Sequence, residues 1–195
     1  HQNQKLYDLV RAHGGEPVVC PLIKIEPAYA HEALLTVLTR IDDIDIAIFV
    51  STNAVTHGLG ALRSQGQTLS ELTQVFAVGA TTALMLQAAD IRVDGVPLGL
   101  SGANGLRALP TFRHVSNRRV VVFRGNGGES SLLEWLTNEG GRLFVAETYR
   151  REMPIEINSA VIELCQQSTI DVITLTSVTS VEHLFALLPD NTHRM

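Results

Sequence analysis

The stretch Asp45–Leu62 reads DIAIFVSTNAVTHGLGAL. Its apolar run Ile46–Val50 is short, β-branched and aromatic, the composition of a parallel strand covered on both faces. Ser51, Thr52 and Asn53 are helix-capping residue types placed where that run stops. Apolar residues then recur at helical spacing. The segment predicts strand, turn and helix, and such a helix aims free backbone N–H groups beyond the strand's carboxyl end. Open α/β sheets bind ligands at those carboxyl ends.

The pattern returns in Asp171–Leu188, DVITLTSVTSVEHLFALL. Aligned without a gap, Asp45 falls on Asp171, Ser51 on Ser177, Val55 on Val181 and His57 on His183. Two similar α/β units are expected, each offering a capped helix N-terminus to a ligand. The plainer account is that one physics shapes any two strand–turn–helix segments alike.

Outward from these two segments, strand and helix alternate. Helices are expected at Gln4–His13, His31–Arg40, Thr81–Ala89, Leu106–Leu109, Ser130–Glu139 and Ser159–Gln167, with Ser101 and Asn104 as helix starters. Strands are expected at Glu16–Cys20, Val75–Gly79, Ile91–Val93, Arg119–Phe123 and Leu143–Glu147, besides the two signature strands. The class is therefore α/β with mainly parallel sheets. Pro21–Pro27 and Thr148–Pro154 are proline-ended extended pieces. As two neighbouring crossings they suggest a two-stranded ribbon hinge over 21–27 and 148–154. Domain 2 would be continuous over 27–148, and domain 1 discontinuous over 1–25 plus 151–195. Domain 1 then shows only Glu16–Cys20 and Asp171–Thr176 as core strands, too few to bury a core. It reads as truncated at both ends, with a strand expected before His1 and a strand–helix unit after Met195.

The 195 residues are 45% hydrophobic and 18% charged, with net charge -5. A Lys/Arg excess that could neutralise nucleic-acid phosphates is lacking. An acidic chain can still hold an anionic small ligand on backbone dipoles. Cys20 and Cys165 show no metal-ligand spacing and read as reduced thiols in a cytoplasmic protein. No apolar run is long enough to span a bilayer. Without a heptad or apolar stripe, a monomer is expected.

Several residues could carry chemistry. Arg124-Gly125-Asn126-Gly127-Gly128 follows a strand and opens a helix, so its N–H groups could converge on an anion. It lacks the Lys-Ser/Thr of a phosphate-binding Walker loop, and a flexible turn is the plainer account. Arg124 could clamp a carboxylate or form a surface ion pair. Gly79-Ala80-Thr81-Thr82 is a second anion candidate, or ordinary capping. Ser51 and Ser177 lie outside GxSxG, which argues against a serine nucleophile. His57 and His183 fall past the capped turns, where a packing or exposed role is expected rather than catalysis. Asp42, Asp43 and Asp45 read as a solvated turn. Tyr149 lies in the returning connector, where its phenol could hydrogen-bond a ligand or pack the ribbon.

The runs FVSTNAV, VFAVGATTALML and VVVFRGNGGESSLLEWL, followed by Gly140-Gly141 and ETYRREMP, resemble the uroporphyrinogen-III synthase family over nearly the whole chain. The ordered set is specific where each motif alone is weak. The resemblance implies two similar doubly wound α/β domains joined by a two-stranded ribbon. Family members carry a further strand at the start and more chain at the end. It implies a cyclising lyase without cofactor or metal. The substrate would be hydroxymethylbilane, a linear tetrapyrrole bearing acetate and propionate arms. Loss of its hydroxyl, inversion of ring D and closure would give the III isomer. Tyr149 would hydrogen-bond the departing hydroxyl. Ser51, Thr52, Asn53, Gly79, Thr81, Thr82, Arg124, Gly125, Asn126, Ser177 and Thr179 would contact substrate, mostly through backbone groups. Two other readings fit the residues alone: a non-catalytic hinged binder of a small polyanion, and a glycosyl- or phosphoryl-transfer enzyme using the glycine loop.

Overall fold

The computed structural model describes residues 4–97, 99, 102–112, 114–128 and 130–188, so Ser101 and the tail lie outside the described residues. The chain divides into two compact units, 1–24 with 152–195 and 25–151.

The larger unit is built on one five-stranded sheet, in spatial order β1 (Lys24–Pro27), β5 (Arg142–Glu152), β4 (Arg119–Gly125), β2 (Ile46–Phe49) and β3 (Gln74–Ala77). The β2–β3, β2–β4 and β4–β5 pairs are parallel. Parallel neighbours require crossovers, and helices supply them. These are α3 (Thr52–Ser64) after β2, α4 (Ala80–Gln87) and α5 (Gly102–Arg107) after β3, and α6 (Ser131–Asn138) after β4. A shorter helix, α2 (Glu32–Leu38), precedes β2.

Alternation along the strands divides the core in two. Ala47, Phe49, Val75, Ala77, Val121 and Phe123 join the apolar residues of α2, α3 and α4 on one face. Ile46, Ile48, Phe76, Val120 and Val122 join Leu106, Phe112, Leu132 and Leu136 on the other. The sheet is thus doubly wound. Phe49 and Phe123 stack with ring centroids 4.5 Å apart, a contact worth about 0.5–1.5 kcal/mol beyond its burial. Gly58 lets α3 lie on that pair, since a Cβ there would come within 2.9 Å of the Phe123 ring.

Three expectations in this unit need correction. The helix expected at Leu106–Leu109 runs over Gly102–Arg107, with Asn104 inside it rather than at its start. Ile91–Val93 forms no strand. The next residues edge β3 instead: the Asp94 amide donates to Val75 O at 2.8 Å, Asp94 Oδ2 accepts from Val75 N at 2.8 Å, and Gly95 bridges Phe76. Nor is Asp45 part of a free solvated turn. Arg119 Nε and Nη2 donate to its two oxygens at 3.1 Å each, and Arg119 N donates at 2.8 Å, tying the starts of β2 and β4 together. That fork holds the Asp45 carboxyl below its ordinary pKa.

The smaller unit holds α1 (Gln4–Ala12), α7 (Ser159–Gln166) and α8 (Val178–Leu187). Its core is small: Leu22, Val161, Cys165, Leu184 and Leu188. Here the expected strands Glu16–Cys20 and Asp171–Thr176 are absent. Among the described residues neither segment finds a ladder partner, and without one an apolar extended run leaves its N–H and C=O groups to water. Val18, Val19, Val172 and Ile173 are correspondingly exposed. The second parallel sheet of the expected fold is therefore not formed among the described residues.

Candidate functional site

In the larger unit the sheet order reverses between β2 and β4. One connection runs from β2 outward to β3, and the next returns to β4 on the other side. Such a switch point leaves a crevice at the strands' carboxyl ends. A groove of about 240 Å³ lies there, lined by Val50, Val78, Ala103, Arg124, Gly128 and Arg151 among others.

Ser51 caps α3, its Oγ accepting from Ala54 N at 3.0 Å. The same Oγ lies 3.1 Å from the Tyr149 hydroxyl, and Arg151 Nη2 donates to that hydroxyl at 3.3 Å. Tyr149 is fully buried in the core, its ring over Gly125, where any Cβ would collide with it, and 5.5 Å from the His57 ring. The phenol is therefore a core side chain whose oxygen reaches the switch point between Ser51 and Arg151.

Arg124 is half-buried at the end of β4. Its Nε donates to Gly125 O at 3.2 Å, and its Nη2 donates to Gly127 O. Gly127 and Gly128 have φ of 63° and 87°, backbone that only glycine adopts at low cost. The glycine run was expected to turn N–H groups on an anion. One of these groups is used inside the protein: the Asn126 amide donates to Tyr149 O at 3.0 Å, and Asn126 Oδ1 accepts from Arg151 N at 2.7 Å. Asn126 is thus committed to holding β5, because the β4–β5 register shifts between Arg124 and Gly125.

Thr52 and Asn53 are half-buried in the first turn of α3. Gly79 caps α4 with extended backbone and open space around it. Of the two threonines that follow it, Thr81 is exposed and Thr82 is buried. In the smaller unit Ser177 caps α8, accepting from Ser180 N at 3.1 Å, and Thr179 is exposed in its first turn. Both histidines pack. His57 sits against Tyr29 and Tyr149 with Nδ1 3.3 Å from the Tyr29 hydroxyl, and burial pushes its pKa down. His183 Nδ1 lies 2.6 Å from Leu22 O, so that nitrogen carries the proton.

Arg151 was missed in the sequence. Its signal was there: residues two apart on a strand share a face, so Arg151 follows Tyr149 to the same side of β5. Among the described residues no cluster of His, Cys, Asp and Glu could hold a metal ion, and no helix is long and apolar enough to cross a membrane. The arrangement offers two guanidinium groups and neutral hydroxyls to an anion.

A family model described as uroporphyrinogen-III synthase HemD matches residues 4–195. The uroporphyrinogen-III synthase of Escherichia coli strain K12 is 26% identical over 170 residues, covering 87% of this chain and 69% of that protein. The Salmonella typhimurium enzyme is 30% identical over 151 residues, covering 76% of this chain and 60% of that one. The chain thus spans between three-fifths and seven-tenths of these relatives' lengths. Its fold is similar to a crystal structure of a mutant uroporphyrinogen III synthase from the extremely thermophilic bacterium Thermus thermophilus, with a TM-score of 0.64 at 17% identity over 97% of this chain and 75% of that one. The Helicobacter pylori uroporphyrinogen-III synthetase structure gives 0.56 at 18% identity, over 87% and 72%.

Proposed function

The chain belongs to the uroporphyrinogen-III synthase family, and from that premise we propose that it dehydrates and cyclises hydroxymethylbilane to uroporphyrinogen III, in tetrapyrrole biosynthesis, without a cofactor. The observation that carries this reading is the family match, which covers residues 4–195. The chemistry of the switch point fits it. The substrate bears acetate and propionate carboxylates along its length, and Arg124 and Arg151 face the groove where such an arm would enter. Loss of the substrate hydroxyl leaves a delocalised cation, and a hydrogen-bond donor at the departing oxygen lowers that barrier. We assign that donor to the Tyr149 hydroxyl, which Ser51 and Arg151 cover in this structure and which must be uncovered for substrate to reach it. Ring D then inverts before closure. The choice of isomer depends on how the flexible chain is held, so the site's main task is orientation.

Ser51, Thr52, Asn53, Gly79, Thr81, Thr82 and Gly125 position substrate mainly through the backbone of their turns, Asn126 acts on it by holding Tyr149 and Arg151 in place, and Ser177 and Thr179 contact substrate in the smaller unit. Segments 21–27 and 148–154 are the hinge of a two-domain arrangement, and the enzyme works as a cytoplasmic monomer.

The test is to supply hydroxymethylbilane and separate the oxidised porphyrin isomers. The III isomer should exceed the spontaneous I isomer. Binding with no isomer excess would leave a binder and defeat the synthase reading. Tyr149→Phe removes one oxygen and keeps the ring in its core. It should lower kcat by about 10²–10⁴-fold, and unchanged turnover would remove the phenol from the chemistry.

A further inference from the structure

Arg124 and Arg151 converge on one spot. A Cβ built on Gly128 would lie 3.3 Å from Arg124 Nη2 and 3.9 Å from Arg151 Nη1. Two guanidinium groups therefore face the same small volume at the mouth of the groove that both line. Like charges this close repel, and an anion placed between them relieves the repulsion. Among the described residues neither arginine forms an ion pair. Glu147 lies opposite Arg124 in the strand register but does not neutralise it through one. Among the described residues the partners of both guanidinium groups are neutral: the carbonyls of Gly125 and Gly127 for Arg124, and the Tyr149 hydroxyl and ring face for Arg151. Neutral partners fix the forks and leave their charge for a ligand. Gly128 keeps the space between them open, having no Cβ and a φ of 87°.

We propose that Arg124 and Arg151 form a paired-guanidinium receptor for a single pyrrole ring, taking its acetate on one arginine and its propionate on the other. This rests on the synthase reading and deepens it. Convergence selects the ligand. Arg124 Nη2 and Arg151 Nη1 flank one point at 3.3 and 3.9 Å, so the two carboxylates they take must lie close together, as neighbouring acetate and propionate arms of one ring do. Charge selects it too, since two forks match two carboxylates. The site therefore discriminates a ring with two acidic arms from a ring with one, which makes Arg151 a specificity residue as well as a partner of Tyr149.

The probe is a monopyrrole carrying one acetate and one propionate, titrated calorimetrically into the protein at low salt. Its analogue with the acetate replaced by methyl is the comparison. The diacid should bind roughly tenfold tighter than the monoacid, the worth of one charge-assisted contact. Arg124→Gln and Arg151→Gln should each weaken the diacid by about that factor and shrink its lead over the monoacid, while Arg150→Gln leaves both affinities as they were. Gly128→Val should weaken both ligands by filling the space. Equal binding of diacid and monoacid, or wild-type affinity in both arginine variants, overturns the receptor. Assaying isomer ratio on the same samples separates the two ideas. Arginine-dependent diacid binding without excess III isomer would end the synthase reading and leave the receptor standing. Excess III isomer with no arginine-dependent binding would do the reverse.

Discussion

Asp45–Leu62 and Asp171–Leu188 share a sequence pattern and half of a structure. In both, a serine caps the helix, Ser51 accepting from Ala54 N at 3.0 Å and Ser177 from Ser180 N at 3.1 Å. In both, a histidine one turn on packs inward. The segments ahead of the caps differ. Ile46–Phe49 is wholly buried between β3 and β4, and residues 171–176 find no strand partner among the described residues, with Val172 77% exposed where its counterpart Ile46 is 2% exposed. A capped helix start is a local object, completed within four residues. A strand is a relation between segments, and an apolar run does not contain its own partner.

The largest test of this contrast is the paired substitution Ile46→Ala and Val172→Ala. Ile46 contacts the core below the sheet, so its truncation should cost about 2–5 kcal/mol. The same change at exposed Val172 should stay within about 0.5 kcal/mol. Urea unfolding followed through Trp135, whose ring stacks on Phe112 5.5 Å away, reads the larger unit. Far-UV circular dichroism serves for the smaller one. Similar losses at both positions would mean that residues 171–176 are covered after all.

Gly58 sharpens the contrast from the helix side. Its counterpart in the second copy is Leu184, which is buried in the smaller core. Gly58→Ala sets a methyl 2.9 Å from Phe123 and 3.1 Å from Phe49, an overpacking that should cost about 1–3 kcal/mol despite alanine's better helix propensity. A gain in stability would show that α3 can lift off the sheet freely.

What the sequence made legible follows the same division. Most helix starts, the α/β class and the β2–α3 unit were readable because capping and periodicity act over a few residues, though α5 starts at Gly102 and not at Leu106. The strands Glu16–Cys20 and Asp171–Thr176 were misread because composition reports that a segment could pair, and pairing is decided elsewhere in the chain. The candidate site was half legible for the same reason. Ser51 and Arg124 stand at strand ends, where the rule for open sheets points. The burial of Tyr149, the commitment of Asn126 to Arg151 and the convergence of two arginines on Gly128 all depend on one register shift between β4 and β5. No local pattern announces it.

The serine caps give a smaller effect. Ser177→Ala removes a cap alone and should cost about 1 kcal/mol. Ser51→Ala removes a cap and the hydroxyl facing Tyr149, so it should cost more, by the net worth of one hydrogen bond, about 0.5–1.5 kcal/mol. Thermal denaturation of the two variants checks the order. Equal losses would make the Ser51–Tyr149 contact energetically idle.

The mildest test uses the aspartates that open the two copies. Asp45 is gripped by the Arg119 fork, and Asp171 forms no ion pair among the described residues. Hydrogen bonds from Arg119 hold the Asp45 carboxyl below its ordinary value of 3.8. A carboxyl lowered in the folded state contributes stability above its unfolded pKa and loses it as pH falls through the folded one. Stability of the larger unit should therefore decline below pH 3.8 partly through Asp45, and Asp45→Asn should flatten that limb. His57 acts in a separate window. Burial lowers its pKa from 6.5, so the unfolded chain takes up the proton first and stability already falls as pH drops below 6.5. Asp45→Asn leaves this higher limb in place, and His57→Gln removes it while sparing the lower one. A single limb lost in both variants would mean that the two groups report one shared acid transition, and that the fork joining β2 to β4 adds nothing of its own.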